Sequence, residues 1–529
     1  MWYDSMRDFL KFGPARTRAG RTRSVVPRKW RATCKLHLEL LEDRTLPSTL
    51  MVLNNHDNGD GSLRAVLAAA QPADTIRFDH HLRGQTITLT SGELVIDKSL
   101  DIEGLGANRL TVSGNGASRV FRVTSGVTVE IDDLTIAHGR ADNGGGIWNA
   151  GGTLTLSHDV IADNQALGAP GSRAQGGGVF TQGGTLTVDH STFSDNVVVG
   201  GRRLDAAVTT GGQGGGLASD LGATLTVRNS TFSDNQAIGG AGDPGVIGSN
   251  GAGGGLWNGR RSTLLVTNST FTGNQALGGA GGAGQVGGSG NGGGLQQNSS
   301  LDGIVAFSRF TDNQAIGGPG GAGGDGGAGD GGGLLNSVPT GATALTVSDC
   351  SVRGNQAIGG AGGAGGKGGD GQGGGIINSG GNGFEATLTV THSTVADNRA
   401  TGGQGDTGVA GGAGLGGGIA SNDDANLTVT DCRLSDNEAE GGAGGARANG
   451  GNGFGGGLYV GGGNVTLSGS RITGNEAEGG AAGTGGTDGQ GVGGGLYNAD
   501  GTVRVHRTRI NHNHASTSDD DVFGDIEYF

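Results

Sequence analysis

A Gly-Gly-Gly-aliphatic tetrad recurs through this chain, its aliphatic residue falling at Ile147, Val179, Leu217, Leu256, Leu295, Leu334, Ile376, Ile419, Leu458 and Leu496. Twenty to twenty-five residues after the start of each tetrad stands an asparagine: Asn164, Asn196, Asn235, Asn274, Asn313, Asn355, Asn398, Asn437, Asn475 and Asn513. A repeat of about forty residues leaves few architectures open. One such unit cannot bury an apolar face alone, so neighbouring units must stack.

Alignment on the asparagine shows how they stack. Three residues before it every unit is apolar, with Phe193, Phe232, Phe271 and Phe310 in four successive units. Eight residues before it every unit carries Leu or Val, and threonines interleave, as in Thr185-Leu-Thr-Val188. This period of two marks a strand with one buried face. Each unit is expected to hold three short strands: the tetrad, the Thr/Leu/Val stretch and the segment before the asparagine. Stacked in parallel register, they give an all-β, right-handed parallel β-helix. The phenylalanines then form one column. The asparagines are expected at a corner, tolerating the left-handed conformation and bonding to the coils above and below.

Composition agrees with a narrow core. Of 529 residues 121 are glycine and only 22 are aromatic. Most of the glycine lies between each asparagine and the next tetrad, a distance of 18 residues in every interval after the first, while the sequence inside drifts. A flexible linker has no reason to keep its length. These inserts are therefore expected to be ordered, stacking coil on coil as an outer glycine layer.

Four regions follow. Residues 1–50 are a basic leader, 51–143 an N-terminal cap with the first coils, 144–515 a ten-coil helix and 516–529 an acidic C-terminal cap. Ser62 is placed to N-cap a short helix over the open end of the stack. Strand-like runs follow at 75–78, 86–89, 94–96, 110–112, 120–123 and 127–131. The leader carries 11 Lys/Arg against 5 Asp/Glu, and the rest of the chain 24 against 44. A body this acidic lacks the basic track that nucleic acid requires. No run reaches the ~18 apolar residues of a membrane-spanning helix. Cys350 and Cys432 fall in one column two coils apart, about 10 Å, beyond disulfide reach.

The Gly-Gly-Gly-Ile/Leu tetrads alternating with Phe-x-x-Asn, from Phe193–Asn196 to Phe310–Asn313, resemble the repeats of the polymorphic outer-membrane protein family and related bacterial right-handed β-helix repeat proteins. The likeness covers roughly residues 60–515 and implies a passenger-like extracellular helix in surface display or adhesion. It departs from the family in its long inserts and in lacking a C-terminal barrel after the last coil. Residues 38–49 resemble a short motif preceding large bacterial surface proteins, which implies export.

The resulting expectation is a secreted or surface-displayed, non-catalytic, adhesin-like solenoid, associated with the outer membrane and free of cofactors. Its partners would be cell-surface glycans or other surface proteins. The alternative is a carbohydrate-active β-helix enzyme of the polysaccharide lyase or hydrolase type, which would need clustered carboxylates on one face. The aspartates before the corner asparagines (163, 195, 234, 312, 397 and 436) alternate with glycine and read as turn chemistry. Arg433, Arg471 and Arg509 align in three successive coils, beside Glu438, Glu440, Glu476 and Glu478, as a possible glycan-binding face. His158 and His190 stack in neighbouring corners. Asp325, Asp330 and Asp370, in glycine-rich surroundings, are weak calcium candidates.

Overall fold

The computed structural model describes residues 47–529 apart from 206–209, 299, 300, 339, 340, 382 and 424. Most of the basic leader lies outside the described residues, and so does most of the export-like motif. The leader's last residues belong to the solenoid, because Thr49–Val52 forms a strand that pairs with Asp74–Phe78. All six predicted early strand runs are present, within a residue or two at each end. The helix spans Leu63–Ala69, with the Ser62 side chain accepting from the Ala65 N–H. Its Leu63 and Leu67 are buried in the main core.

The stacked coils build five parallel sheets rather than the expected three, and the first coils feed only three of them. The tetrad sheet, the Thr/Leu/Val sheet and the Phe sheet are as the periodicity predicts. Two more come from the stretch after the asparagine. One is built of triplets such as Gln275–Leu277, directly beyond the asparagine, and the other of dipeptides such as Gly290–Asn291, directly before the tetrad. Neither segment is long enough to show a strand period in the sequence. The core holds the inward columns, including Phe193, Phe232, Phe271 and Phe310, whose rings stack at 4.6–4.7 Å.

The asparagines are not the left-handed residues. That conformation belongs to the position before each one, with Asp163, Asp195, Asp234, Asp312, Asp397 and Asp436 at φ of 55–58° and Gly273, Gly354 and Gly474 at 64–70°. Asp and Gly alternate there because both tolerate this region. The asparagines instead turn inward and form a buried ladder. Asn274 donates both its backbone N–H (3.1 Å) and its Nδ2 (2.9 Å) to Asn313 Oδ1, and a second Nδ2 bond reaches the Phe232 carbonyl (2.9 Å). The ladder ends on Asp521, whose Oδ1 accepts from both nitrogens of Asn513. The acidic tail thus terminates the column, and it also adds the strands Val522–Phe523 and Glu527–Tyr528.

All three tetrad glycines are required. The first is left-handed in each repeat, at φ of 56–70°. A Cβ on the second would meet carbonyl oxygens, those of Gly332 and Gln314 in the case of Gly293. A Cβ on the third would meet the next coil's third-glycine carbonyl and also the core, as Gly294 would meet the Gly333 carbonyl at 2.7 Å and then Phe310 and Asn313.

The inserts form a two-layered flange with a period of three. On the outgoing run the N–H groups of Gly278 and Gly281 bond to the next coil (Ile316 and Pro319 carbonyls), and those of Gly279 and Gly282 bond across to the previous coil's return run (Ser249 and Val246 carbonyls). Ala280 and Ala283 take the third position and face outward. A chain that bonds outward with three residues per turn and no internal bonds has polyproline II character. Glycine holds the outgoing-run positions where the two layers meet, while the return run also carries Val246, Ser249, Gln285, Val409 and Ala448 there. The cysteines Cys350 and Cys432 are buried free thiols in a serine column, each taking a backbone N–H at 3.4 Å.

Asn313→Ala should be strongly destabilising. It leaves the buried Asn274 N–H without its acceptor, takes one of the two bonds of Asn274 Nδ2, and removes the Nδ2 donor from the Phe271 carbonyl and from Asn355 Oδ1, at about 1–3 kcal/mol for each group left unsatisfied. Ala280→Ser, on the outer row of the flange, should change the melting temperature by less than a degree or two. Thermal denaturation followed by circular dichroism measures both.

Candidate functional site

The flange creates a groove. Its return strands run beside the outward face of the tetrad sheet, and the left-handed first glycine of each tetrad folds one against the other. One wall is the column Asn291, Asp330, Gln372, Leu415, in register from coil to coil. The other is the column Gln296, Leu335, Ile377, Ala420, Tyr459. Asn298, Ser337, Ser379, Asn422 and Asp423 line the far edge. The cleft they enclose holds about 590 Å³. A second cleft of about 270 Å³ shares Asn250, Asn291, Gln296 and Asn298 with it and extends the groove to Gln213, Arg173 and Arg203. From the Gln213 coil to the Tyr459 coil the trough runs roughly 30 Å along the solenoid axis at ~4.8 Å per coil.

Its walls hold hydrogen-bonding atoms that the protein does not satisfy. Gln213 Oε1, Gln296 Oε1, Asn298 Oδ1, Asn422 Oδ1 and Asp330 Oδ1 are all shut off from solvent without a hydrogen-bond partner. Two of these amides are oriented by their nitrogens. Gln296 Nε2 donates to Ser337 Oγ at 3.2 Å, and Asn422 Nδ2 donates to Gln372 Oε1. Buried polar atoms are normally paired, so these five oxygens are the least satisfied polar atoms of the groove wall.

Asp330 is the chemically distinctive member. Burial, and then the charge of Asp370, push its carboxyl up to about 7. As a residue it is only half-buried, but its Oδ1 is fully enclosed. Asn291, turned so that its nitrogen faces the carboxyl, donates to Asp330 Oδ2 at 3.2 Å. Near neutral pH this group can both give and take a proton. Asp423, at the far edge, accepts from Ser379 Oγ at 3.3 Å. It lies two coils beyond Asp330.

The other nominated residues lie apart from the groove. Asp325 Oδ1 accepts from the Lys367 N–H (2.8 Å), and Asp370 Oδ1 accepts from the Ala413 N–H (2.7 Å) and lies 3.5 Å from Lys367 Nζ. Asp325, Asp330 and Asp370 therefore do not converge as a calcium cluster. Among the described residues the one such group is Asp79, His80 and His81, which is largely exposed. Arg433, Arg471 and Arg509 stack as an exposed row on the Phe sheet. The neighbouring glutamates do not pair with them, because those sit on the next sheet and Arg399 bridges Glu438 (3.3 Å) and Glu440. Arg433 faces Asp436 instead, at 3.6 Å. His158 and His190 stack at 5.1 Å, beside Asp132 and Asp189 respectively.

Sequence reasoning named Asp330, as a weak calcium candidate, but not Gln296, Asn298, Asn422 or Asp423, which line the same cleft. One signal was present: Asn291, Asp330 and Gln372 are bulky polar residues directly before a tetrad, in segments that are otherwise almost all glycine and alanine.

A family model described as the right handed beta helix region matches residues 102–300. The chain is thus a right-handed β-helix, and the resemblance to polymorphic outer-membrane proteins in particular has no further support. No curated protein matches the sequence. Two solved structures are similar along most of the chain. One is the periplasmic alginate epimerase AlgG, at 8% identity and a TM-score of 0.33, covering 87% of this chain and 84% of that one. The other is the catalytic unit of the thermostable GH87 α-1,3-glucanase from Streptomyces thermodiastaticus strain HF3-3, at 14% identity and a TM-score of 0.33, covering 89% and 68%. No helix among the described residues is long and apolar enough to cross a membrane.

The raised Asp330 carboxyl has a consequence for stability. The folded chain holds this proton more tightly than the unfolded one, so the group favours folding at low pH and that contribution is lost as pH rises from about 4 to about 7. Asp330→Asn should remove the loss, making the variant more stable than the parent above pH 7 by roughly 1–4 kcal/mol, with the two converging near pH 4. Denaturant titrations of both proteins across this range measure the difference.

Proposed function

We propose that this chain is a carbohydrate-active β-helix protein that holds a linear polysaccharide along the flange groove, with Asp330 as its proton-transfer residue, and that it works outside the cytoplasm. The observation that carries this reading is the trough itself, roughly 30 Å long at ~4.8 Å per coil and lined from coil to coil by amide and hydroxyl side chains (Asn250, Asn291, Gln296, Asn298, Ser337, Gln372, Ser379 and Asn422). A sugar chain lying along the axis advances by about one residue per coil, so each coil meets an equivalent hydroxyl set. A carboxyl near 7 suits general acid or base catalysis at neutral pH.

A second reading keeps the groove but not the chemistry: a non-catalytic, adhesin-like solenoid that only holds its glycan. The spacing of the carboxyls favours it. Two coils place Asp330 and Asp423 about 10 Å apart along the axis. The pairs used in glycoside hydrolysis sit at ~5–5.5 Å or ~6.5–9.5 Å. Single-residue proton transfer, as in elimination or epimerisation, makes no such demand.

Polysaccharides incubated with the protein and then sized by chromatography separate the two readings. On the catalytic reading chain length or composition changes, and Asp330→Asn lowers the rate at least a hundredfold while binding persists. Binding without any change in the glycan supports the adhesin-like reading. Failure of the protein to retain any polysaccharide in affinity electrophoresis sinks both.

A further inference from the structure

We infer that the groove selects neutral, hydroxyl-rich glycans and rejects uronate chains, with Gln296, Asn298 and Asn422 as its specificity-determining residues. This rests on reading the groove as a glycan site, and narrows that reading to a substrate class.

The charge of the trough is the first ground. Every residue lining the larger cleft is neutral except Asp330 and Asp423, and it contains no Lys, Arg or His. Asp370 adds its charge at Asp330. A uronate at each coil would place a carboxylate against this field with no cation to receive it, in an enclosed trough where screening is weak. The nearest arginines, Arg173 and Arg203, belong to the smaller cleft at the N-terminal end. One acidic sugar could be received there, but not a continuous acidic chain.

The second ground is the chemistry of the unpaired atoms. The four amide oxygens can only accept, and Asp330 accepts alone once ionised. Neutral sugars offer hydroxyl donors to such a wall, whereas a carboxylate offers acceptors alone and would face acceptor with acceptor. Gln296 is the firmest of these points. It lines both clefts, its Nε2 is engaged by Ser337, and its Oε1 has no partner in the protein. Asn298 lies two residues on along the same wall, and Asn422 three coils further. A ligand meeting all three spans four coils.

One aromatic residue, Tyr459, lines the larger cleft, at its C-terminal end. Phe454, Tyr459 and Phe523 each set a ring against Tyr497, at 4.5–5.6 Å. Along the rest of the larger cleft the lining is without aromatic rings, so hydrogen bonding has to discriminate between ligands there.

Affinity electrophoresis of the full chain at pH 8, where Asp330 is mostly ionised, tests this with four polymers: an α-1,3-glucan rendered soluble, a β-1,3-glucan, polygalacturonate and alginate. At least one neutral glucan should be retarded and both polyuronates should pass unretarded. Gln296→Ala and Asn298→Ala should each weaken glucan retention tenfold or more. Gln296→Leu, which fills the same space without an acceptor, guards against a packing effect and should weaken retention equally, with melting temperatures confirming that each variant is folded. Retention of polygalacturonate or alginate by the parent protein, with no glucan retained, overturns this inference and leaves the glycan reading standing. Unchanged glucan retention in all three folded variants overturns the assignment of these residues. Retention of none of the four polymers, extended to a wider panel with the same result, removes the glycan reading itself.

Discussion

The asparagine ladder sets what the rest of the fold can do. Each amide is buried, and each gives its hydrogens to the next coil and to the carbonyl three residues before the preceding coil's asparagine. This geometry fixes the coil spacing and the register together. A slip of one residue would leave two nitrogens and two oxygens unpaired in every coil, which no local repacking could recover. The phenylalanine column, the serine and cysteine column and the left-handed Asp/Gly column all follow from that register. The ladder also needs a terminus, and Asp521 supplies one because a carboxylate oxygen accepts both donors that Asn513 presents.

Register at the ladder in turn permits the flange. An excursion of eighteen residues stays ordered only if its backbone finds partners along its whole length. Bonds alternating between the next coil and the opposite layer provide them, at the cost of excluding side chains from two positions in three. The glycine content is therefore a packing requirement of backbone meeting backbone. With the flange held this way, its return strands become a fixed wall, and the groove beside the tetrad sheet is rigid before any ligand arrives. Rigidity of this kind lowers the ordering cost of binding a long, flexible polymer.

Much of this was legible in the sequence, for a physical reason. Residues that face their own equivalents in the next coil must repeat in kind, so the inward Val/Leu columns, the Phe193–Phe310 run, the tetrads and the asparagines all announce themselves. The corner was misassigned by one residue because Asn and Asp are adjacent in most units and both tolerate positive φ. Glycine at 273, 354 and 474 was the better clue. The two extra sheets were hidden by strands of two or three residues. The groove was hidden because its walls are outward columns. There Trp148, Phe180, Ala218, Trp257, Gln296, Leu335, Ile377, Ala420 and Tyr459 succeed one another with no rule of likeness. Asp330 stood out by type, but not by the pairing with Asn291 or the burial that shifts its proton affinity.

That contrast between columns explains how such a solenoid can carry a specific site at all. Inward columns are coupled from coil to coil, so a change in one coil is felt in its neighbours. Outward columns are coupled only through what they bind. Along the tetrad wall the chain moves from aromatic to amide to aliphatic and back to aromatic within nine coils, while the frame behind it barely changes. The amide-rich stretch from Gln296 to Asn298 faces Asn291, and Asp330 follows one coil later. In this stretch the outward residues depart furthest from both the aromatic and the aliphatic pattern, and here too the unpaired oxygens gather. A purely structural column has no use for Gln296, since Leu335 fills the same position in the next coil without a buried acceptor to satisfy. The position tolerates an apolar residue, so the fold alone does not require the glutamine there, and its one side-chain bond, to Ser337, holds the amide in place.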